Sequence, residues 1–325
     1  MPIQIPKTSL LQCVNTNVAQ SSNYAQPSFS IKRIREPLSN DILSKLRSAV
    51  PVMIDTALEA GMMAKKYREA GDIPYEIKQD GSKVTKAEKE IQRVILEKLT
   101  SRFSDFGFIA EEILEGQAAL KFNENINSPY KWVIDPIDGS SNFIKKDKNF
   151  FGTAIALMYE NDFIATVFYA PEYEIDGKQG IFIVASELED SVYLNGKKVF
   201  IDLTKEDLKN REVLLDNYPP LNHKEIKLNT KNFKENYSIK SSSLCLTLIS
   251  SGKEDTPVAL ESKTSKLWDG VGLYLIEKAG GVVWDIDGRF ILPLNNNNFN
   301  SKTSTIEAHI FAGHPNAIKE LLSKK

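Results

Sequence analysis

The chain has 325 residues, a formal net charge of −2, and 42% hydrophobic against 26% charged residues, enough to bury a large core as one large or two medium domains. The near-neutral balance excludes a general nucleic-acid binder, because counterion release needs a dense basic surface. No window approaches the ~20 apolar residues that cross a bilayer, and two distant cysteines, Cys13 and Cys245, make no disulfide framework and fit a reducing, cytoplasmic compartment.

Residues 1–40 are rich in Ser, Asn and Gln, carry no acid before Glu36, and include Lys32, Arg33 and Arg35. Lacking the apolar core of a secretory signal, they read as a flexible arm or subunit contact, with organelle targeting left open. Ile54, Leu58 and Met62 predict a helix over 52–68, with Pro51 in its first turn and Gly71 as its stop. Ile91, Val94, Ile95 and Leu99 predict a second amphipathic helix. Strand-like runs follow at 151–158, 163–170, 180–185 and 192–199, with turns at 160–162, Asp176-Gly177 and Asn195-Gly196. This first α+β subdomain spans 41–201. The second, 202–325, alternates strand 213–216, helix 244–251, strand 257–260, helix 268–279, strand 281–285 and a terminal strand and helix, which predicts α/β layering. The run 295–298 is all Asn and reads as a surface loop.

The most informative stretch is Trp132-Val133-Ile134-Asp135-Pro136-Ile137-Asp138-Gly139-Ser140-Ser141-Asn142-Phe143. Its apolar start predicts a buried strand ending at Asp135. Pro136 disfavours a helical Asp135, so a turn carrying Asp138 must come before any helix. Gly139 lets the backbone approach a ligand closely, and Ser140, Ser141 and Asn142 start a helix whose unpaired amides attract an anion such as phosphate. Two carboxylates beside a phosphate repel it unless hard cations lie between them, and Mg²⁺ characteristically uses one or two carboxylates plus phosphate oxygens. An ordinary strand-to-turn connection is the bland alternative. Three further segments bear on it. Phe106 to Glu112 reads as a strand ending in the acids Glu111 and Glu112. Lys266-Leu267-Trp268-Asp269 precedes a helix, with Asp269 a ligand or a simple N-cap. Lys78 to Glu88 leads into a helix, where its acids could serve only as caps.

In this order and at these intervals, the four segments resemble the inositol monophosphatase family of Mg²⁺-dependent, lithium-sensitive phosphatases, across residues 45–325. The matching motifs are Lys78-Gln79-Asp80 with Val84-Thr85 and Ala87-Glu88, then Ala110-Glu111-Glu112, Asp135-Pro136-Ile137-Asp138-Gly139-Ser140, and Trp268-Asp269 before Ala279-Gly280-Gly281. The resemblance implies a five-layer αβαβα sandwich of the sugar-phosphatase type and hydrolysis of a phosphate monoester by in-line attack of a water activated by metal. It implies that Glu111, Asp135 and the Ile137 carbonyl hold one Mg²⁺ and that Asp135, Asp138 and Asp269 hold a second, with a weaker third beside Glu111. Ser140 and Glu88 stand where the family has a Thr and an Asp that orient and deprotonate the water, so with Glu111 they form the catalytic set. Gly139, Ser140 and Ser141 would meet the phosphate. Ala110 replaces a Gly of the pattern, and Lys86, at a usually small position, reads as solvent-facing. A homodimer is also implied.

Within the family, Asn142-Phe143 resembles the inositol branch. Phe143-Ile144-Lys145-Lys146, Tyr169-Ala170-Pro171 and Ser241-Ser242-Ser243-Leu244 resemble the 3′(2′),5′-bisphosphate nucleotidase branch. In the last segment Ser242 and neighbouring amides would meet a second phosphate, but Cys245 replaces a Lys, leaving Lys240 or Lys263 as substitutes. Glu261 would instead accept hydrogen bonds from a polyol. The balance leans to 3′-phosphoadenosine 5′-phosphate, with inositol monophosphate, histidinol phosphate and sugar phosphates as alternatives. A binding or regulatory relative without turnover, and a structural subunit whose acids are caps and turns, are the readings of other classes.

Overall fold

The computed structural model describes residues 33, 35–78, 81–113, 127–205, 211–215, 228–229, 231–236, 239–252, 258–261 and 265–323. The first helix, α1 (Asn40–Glu69), begins well before the position predicted for it. Ser39 caps it, and Ile42, Leu46, Ala49 and Val50 continue the buried stripe upstream of Pro51. Pro51 is therefore inside the helix rather than in its first turn; the apolar face holds the helix across one missing backbone donor. A short hairpin of β1 (Tyr75–Ile77) and β2 (Lys83–Thr85) leads into α2 (Lys86–Arg102). Lys86 is exposed, as expected for a lone Lys on a helix.

The main sheet has seven strands in sequential order: β3 (Gly107–Ala110), β4 (Tyr130–Asp138), β5 (Gly152–Tyr159), β6 (Asp162–Ile175), β7 (Lys178–Ser186), β8 (Val192–Leu194) and β9 (Lys197–Val199), with the short helix α3 (Ser140–Lys145) after β4. Only β3 and β4 pair in parallel among these neighbours. Two predicted turns appear as expected: Asp176-Gly177 and Asn195-Gly196 both have positive φ at both residues, the type I′ geometry that matches strand twist.

A second sheet of five strands contains β10 (Arg211–Leu215), β11 (Phe233–Asn236), β12 (Val258–Glu261), β14 (Val282–Trp284) and β17 (Ile310–Gly313), in the order β11-β10-β12-β17-β14. Its helices are α4 (Ser242–Ser251), α5 (Leu273–Lys278) and α6 (Pro315–Leu322), and a three-stranded sheet of β13 (Ser265–Lys266), β15 (Phe299–Asn300) and β16 (Thr305–Ile306) sits beside it. The helix predicted over 268–279 is split into a 3-10 turn, Asp269–Gly272, followed by α5. The Asn run 295–298 is a loop in which Asn298 Oδ1 accepts from the Asn295 amide at 2.8 Å.

The cores stack as five layers, αβαβα. On β4, Trp132 and Ile134 face a core with Leu46 and Met53 of α1 and Ile91, Ile95 and Leu99 of α2. Val133, on the opposite face, joins the core shared with Leu244 and Leu246 of α4, Tyr274 and Ile276 of α5, and Val283 and Ala312 of the second sheet. This is strand alternation with both faces buried. On the far side of the second sheet, Ala317, Ile318 and Leu321 of α6 pack on Val258, Trp284 and Phe311.

Arg33 and Arg35, in the segment read as a flexible arm, are held by distant carboxylates. Arg33 bonds Asp162 at 2.8 Å and Glu277 at 3.0 Å, and Arg35 bonds Glu277 at 2.9 Å and Glu187 at 3.0 Å. Arg35 also lies 5.0 Å from the ring centroid of Tyr274. Glu277, 8% exposed at its side chain, thus joins two arginines to α5. Glu277→Ala removes one carboxylate from each guanidinium while Asp162 and Glu187 remain, and should cost about 2 kcal/mol in urea unfolding, as for lost hydrogen bonds to charged groups. A loss under ~1 kcal/mol would mean that the pairs behave as ordinary surface ion pairs.

Candidate active site

The site starts with a bulge. Asp135 and Asp138 are an odd number of residues apart, so in a regular strand their side chains would project from opposite faces. Instead, Asp135 pairs with Ala154 and Asp138 with Gly152, so β4 gains one residue over β5 between the two acids. Pro136, which has no amide to give to a ladder, sits in this bulge, and Thr153 Oγ1 donates to its carbonyl at 2.9 Å. The strand predicted to stop at Asp135 therefore runs on to Asp138 and delivers both carboxylates to one place.

Asp269 comes to the same place from the second half of the chain. Oxygens of Asp135, Asp138 and Asp269 lie within 4.8 Å of one another. Asp269 is not a side-chain N-cap: it opens the 3-10 turn, whose cap residue is Trp268, and its Oδ2 accepts from the Lys266 amide at 3.2 Å. Asp138 accepts through Oδ2 from Ser241 Oγ at 2.5 Å, the Ser243 amide at 2.9 Å and the Leu244 amide at 3.4 Å. Asp135 is the most confined: it is 2% exposed and its Oδ1 is buried without a hydrogen-bond partner. Burial first, and then the charges of Glu111, Asp138 and Asp269, hold its pKa well above the usual carboxylate range.

A second group of acids adjoins the trio. Glu111 contacts Asp135 and pairs with Lys78 at 3.0 Å, and the same ammonium meets Glu112 at 2.8 Å. Burial opposes the charge on Lys78, but the two glutamates outweigh it and raise its pKa. Glu112 is pushed up to about 8 by burial and by Glu111, against the pull of Lys78. The side-chain amide of Gln92 clamps the Glu112 backbone, donating to its carbonyl at 2.6 Å and accepting from its amide at 2.8 Å.

Glu88 takes the capping role that the sequence offered it and keeps one carboxylate oxygen outside that cap. It completes a capping box with Thr85 through Oε2, while Oε1 is buried and without a partner. Burial, and next Glu111, push its pKa up to about 7, while the nearby Ser140 hydroxyl and the Thr85 cap work the other way. The Ser140 hydroxyl lies beside Glu88 and donates to the Ile137 carbonyl at 3.3 Å. Gly139, at φ 89°, caps α3 in the left-handed region; a Cβ there would strike the Phe150 carbonyl and come within 3.2 Å of Ser241 Cβ. Ser141 follows in the first turn of α3.

The 239–244 segment closes the site from the other sheet. Asn142 Nδ2 donates to the carbonyls of Phe150 and Ile239, both at 2.8 Å, tying α3 to this segment. Ser242 is buried at the start of α4, and Cys245, at the position compared with a Lys, is buried and in no disulfide among the described residues. Glu261 ends β12; its side chain, like Asp80 and Lys263, lies outside the described residues. Gln92 had no place in the sequence reading; Lys78, Glu112, Asn142 and Ser241 stood there as members of motifs, but the side-chain contacts they make here depend on distant partners that no spacing announces.

The family model for the inositol monophosphatase family matches residues 45–324. The chain belongs to the inositol monophosphatase family. Members of this family are phosphatases that hydrolyse phosphate monoesters, and they are metal-dependent. An inositol-1-monophosphatase of Mesorhizobium japonicum is 24% identical over 253 residues, covering 73% of this chain and 85% of that protein. A 3′(2′),5′-bisphosphate nucleotidase CysQ of Haemophilus influenzae is 32% identical over 115 residues, only 35% of this chain and 40% of that protein. The extragenic suppressor protein suhB of Bartonella henselae superposes with a TM-score of 0.65 at 20% identity, covering 85% of this chain and 97% of that one, which supports the layered fold.

The donor set fits a hard divalent cation: all-oxygen ligands, crowded charge, and a buried carboxylate oxygen without a partner. The same crowding sets the pH response of the metal-free protein. Glu88 at about 7, Glu112 at about 8 and the raised Asp135 bind protons in the folded state that the unfolded chain releases near its ordinary carboxylate pKa. The stability contributed by these three groups is therefore full below about pH 4.5 and declines as pH rises to about 8. Mg²⁺ should reverse this, stabilising more at pH 8 than at pH 5.5, because metal entry releases those protons. Melting curves with EDTA and with Mg²⁺ at both pH values check the sign.

Proposed function

We propose that this phosphatase acts on a small polyol phosphate monoester of the inositol 1-phosphate kind, using two Mg²⁺ ions. The observation that carries the metal-dependent reaction is the trio Asp135, Asp138 and Asp269 with its orphaned buried oxygen. Glu111, Asp135 and the Ile137 carbonyl would hold one ion, and Asp135, Asp138 and Asp269 the other, with a weaker third beside Glu111. When bound, the ions supply Lewis-acid polarisation of the phosphoryl oxygens and neutralise the leaving alkoxide.

The chain's own residues handle the proton. In the metal-free state the Ser140 hydroxyl donates to the Ile137 carbonyl. The unpartnered Oε1 of Glu88 is the other acceptor for this hydroxyl; a Ser140 that donates there would present its oxygen as the acceptor that orients the attacking water. Glu88, at about 7, suits a proton acceptor near neutral pH. The amides at Gly139, Ser140 and Ser141 hold the phosphate. A homodimer is part of the same reading.

For the substrate, two observations favour a single phosphate over the nucleotide bisphosphate to which the sequence leaned. Cys245 is buried where a cation would meet a second phosphate, and Lys146 Nζ is engaged by the carbonyls of Arg68 and Gly71. The nucleotidase reading is kept as the second, favoured by the CysQ match and by the Ser241-Ser242-Ser243-Leu244 segment. Phosphate release from inositol 1-phosphate, 3′-phosphoadenosine 5′-phosphate, histidinol phosphate and fructose 1,6-bisphosphate, each with Mg²⁺ or EDTA, ranks them. The expected order has inositol 1-phosphate first and no release in EDTA. Preference for the adenosine bisphosphate would reverse it, and metal-independent release would overturn the reaction itself.

Two substitutions test the roles. Asp138→Asn should abolish turnover while the protein still melts cooperatively. Ser140→Ala should lower kcat by about 100-fold with little change in KM, because its task belongs to the transition state; an effect confined to KM would contradict that role.

A further inference from the structure

We propose that Ser241 is a positioning residue that decides which oxygen of Asp138 a divalent cation meets. The inference rests on the metal-dependent reading above and adds a residue to it. Asp138 Oδ2 receives three donors, at 2.5 Å from Ser241 Oγ, 2.9 Å from the Ser243 amide and 3.4 Å from the Leu244 amide. An oxygen with two lone pairs is saturated by this set. A cation entering between the three acids therefore meets Asp138 through Oδ1, and the carboxylate plane is locked before the cation arrives.

The two amides come with the start of α4 and would be present whatever side chain stood at 241. The hydroxyl is the part that residue 241 itself decides, and it makes the shortest of the three bonds. Its placement is built. Lys240 takes a left-handed φ of 55° just before it, Asn142 Nδ2 holds the carbonyls of Ile239 and Lys240 at 2.8 and 3.3 Å, and the bare face of Gly139 is packed against Ser241 Cβ. Ser241 is 2% exposed, so a solvent molecule has little access to replace its hydroxyl. It also links the halves of the site, since Asp138 ends β4 of the first sheet while Ser241 precedes the helix that leads into β12 of the second. Groups that orient a ligating carboxylate characteristically change metal affinity by 10-fold or more when removed.

Calorimetric titration of the full chain with Mg²⁺ tests this directly, using Ser241→Ala, Ser241→Cys and Asp138→Asn beside the parent. Ser241→Ala should weaken Mg²⁺ binding about 10-fold, and Ser241→Cys, which keeps a weak donor, should fall between it and the parent. With saturating Mg²⁺, KM for the best phosphate ester should stay at the parent value in both, a split that general loosening of the fold would not produce. Unchanged Mg²⁺ affinity in a cooperatively melting Ser241→Ala or Ser241→Cys protein, with binding lost in Asp138→Asn, would overturn the role of Ser241 alone. Unchanged affinity in Asp138→Asn would overturn the metal reading and this inference with it. Ser241→Cys keeps the test valid if the alanine variant does not fold.

Discussion

Three carboxylates meet in a space too small and too dry to hold three negative charges, and much of the site follows from that. Among the described residues no cationic side chain forms an ion pair with Asp135, and its Oδ1 has no hydrogen-bond partner. Such a group lowers its cost by taking a proton or by taking a metal ion. The neighbouring acids show the intermediate solution: Lys78 stands between Glu111 and Glu112. Asp138 shows another, with one oxygen taken up by a hydroxyl and the start of a helix. A fold that tolerates this arrangement gives up stability at neutral pH in exchange for a site prepared for a hard cation.

The crowding is produced by the architecture. The bulge at Pro136 brings Asp135 and Asp138 together, and the 3-10 turn at the start of α5 brings Asp269 to them. The core between the sheets, with Val133 on one side and Tyr274 and Leu246 on the other, fixes the distance over which they meet. Asn142 and Gly139 then join α3 to the 239–241 segment, so the site belongs to neither sheet alone. Arg33 and Arg35 add a second connection across the same junction, through Asp162 on one side and Glu277 on the other.

Much of this was legible in the sequence because it rests on local rules. The Asp-Gly and Asn-Gly turns, the alternation of Trp132, Val133 and Ile134, and the amphipathic stripe of α2 need only near neighbours to be read. The order of the acidic motifs pointed to the site. What escaped was set by distant partners. The start of α1 was misplaced because Pro51 is more common at a helix start than inside one, and only packing on the main sheet holds the longer helix. The bulge was invisible because Asp-Pro also describes a turn. Ser241 and the arm arginines act on residues more than a hundred positions away, and no periodicity carries that information.

The most direct test is a crystal grown with Mn²⁺ and measured near the manganese edge, since Mn²⁺ is a hard cation of suitable ligand preference with a usable anomalous signal. The account predicts an anomalous peak between the carboxylates of Asp135, Asp138 and Asp269, with Asp135 Oδ1 among its ligands. Well-ordered density showing those three side chains around no peak, at a Mn²⁺ concentration that supports turnover, would contradict it.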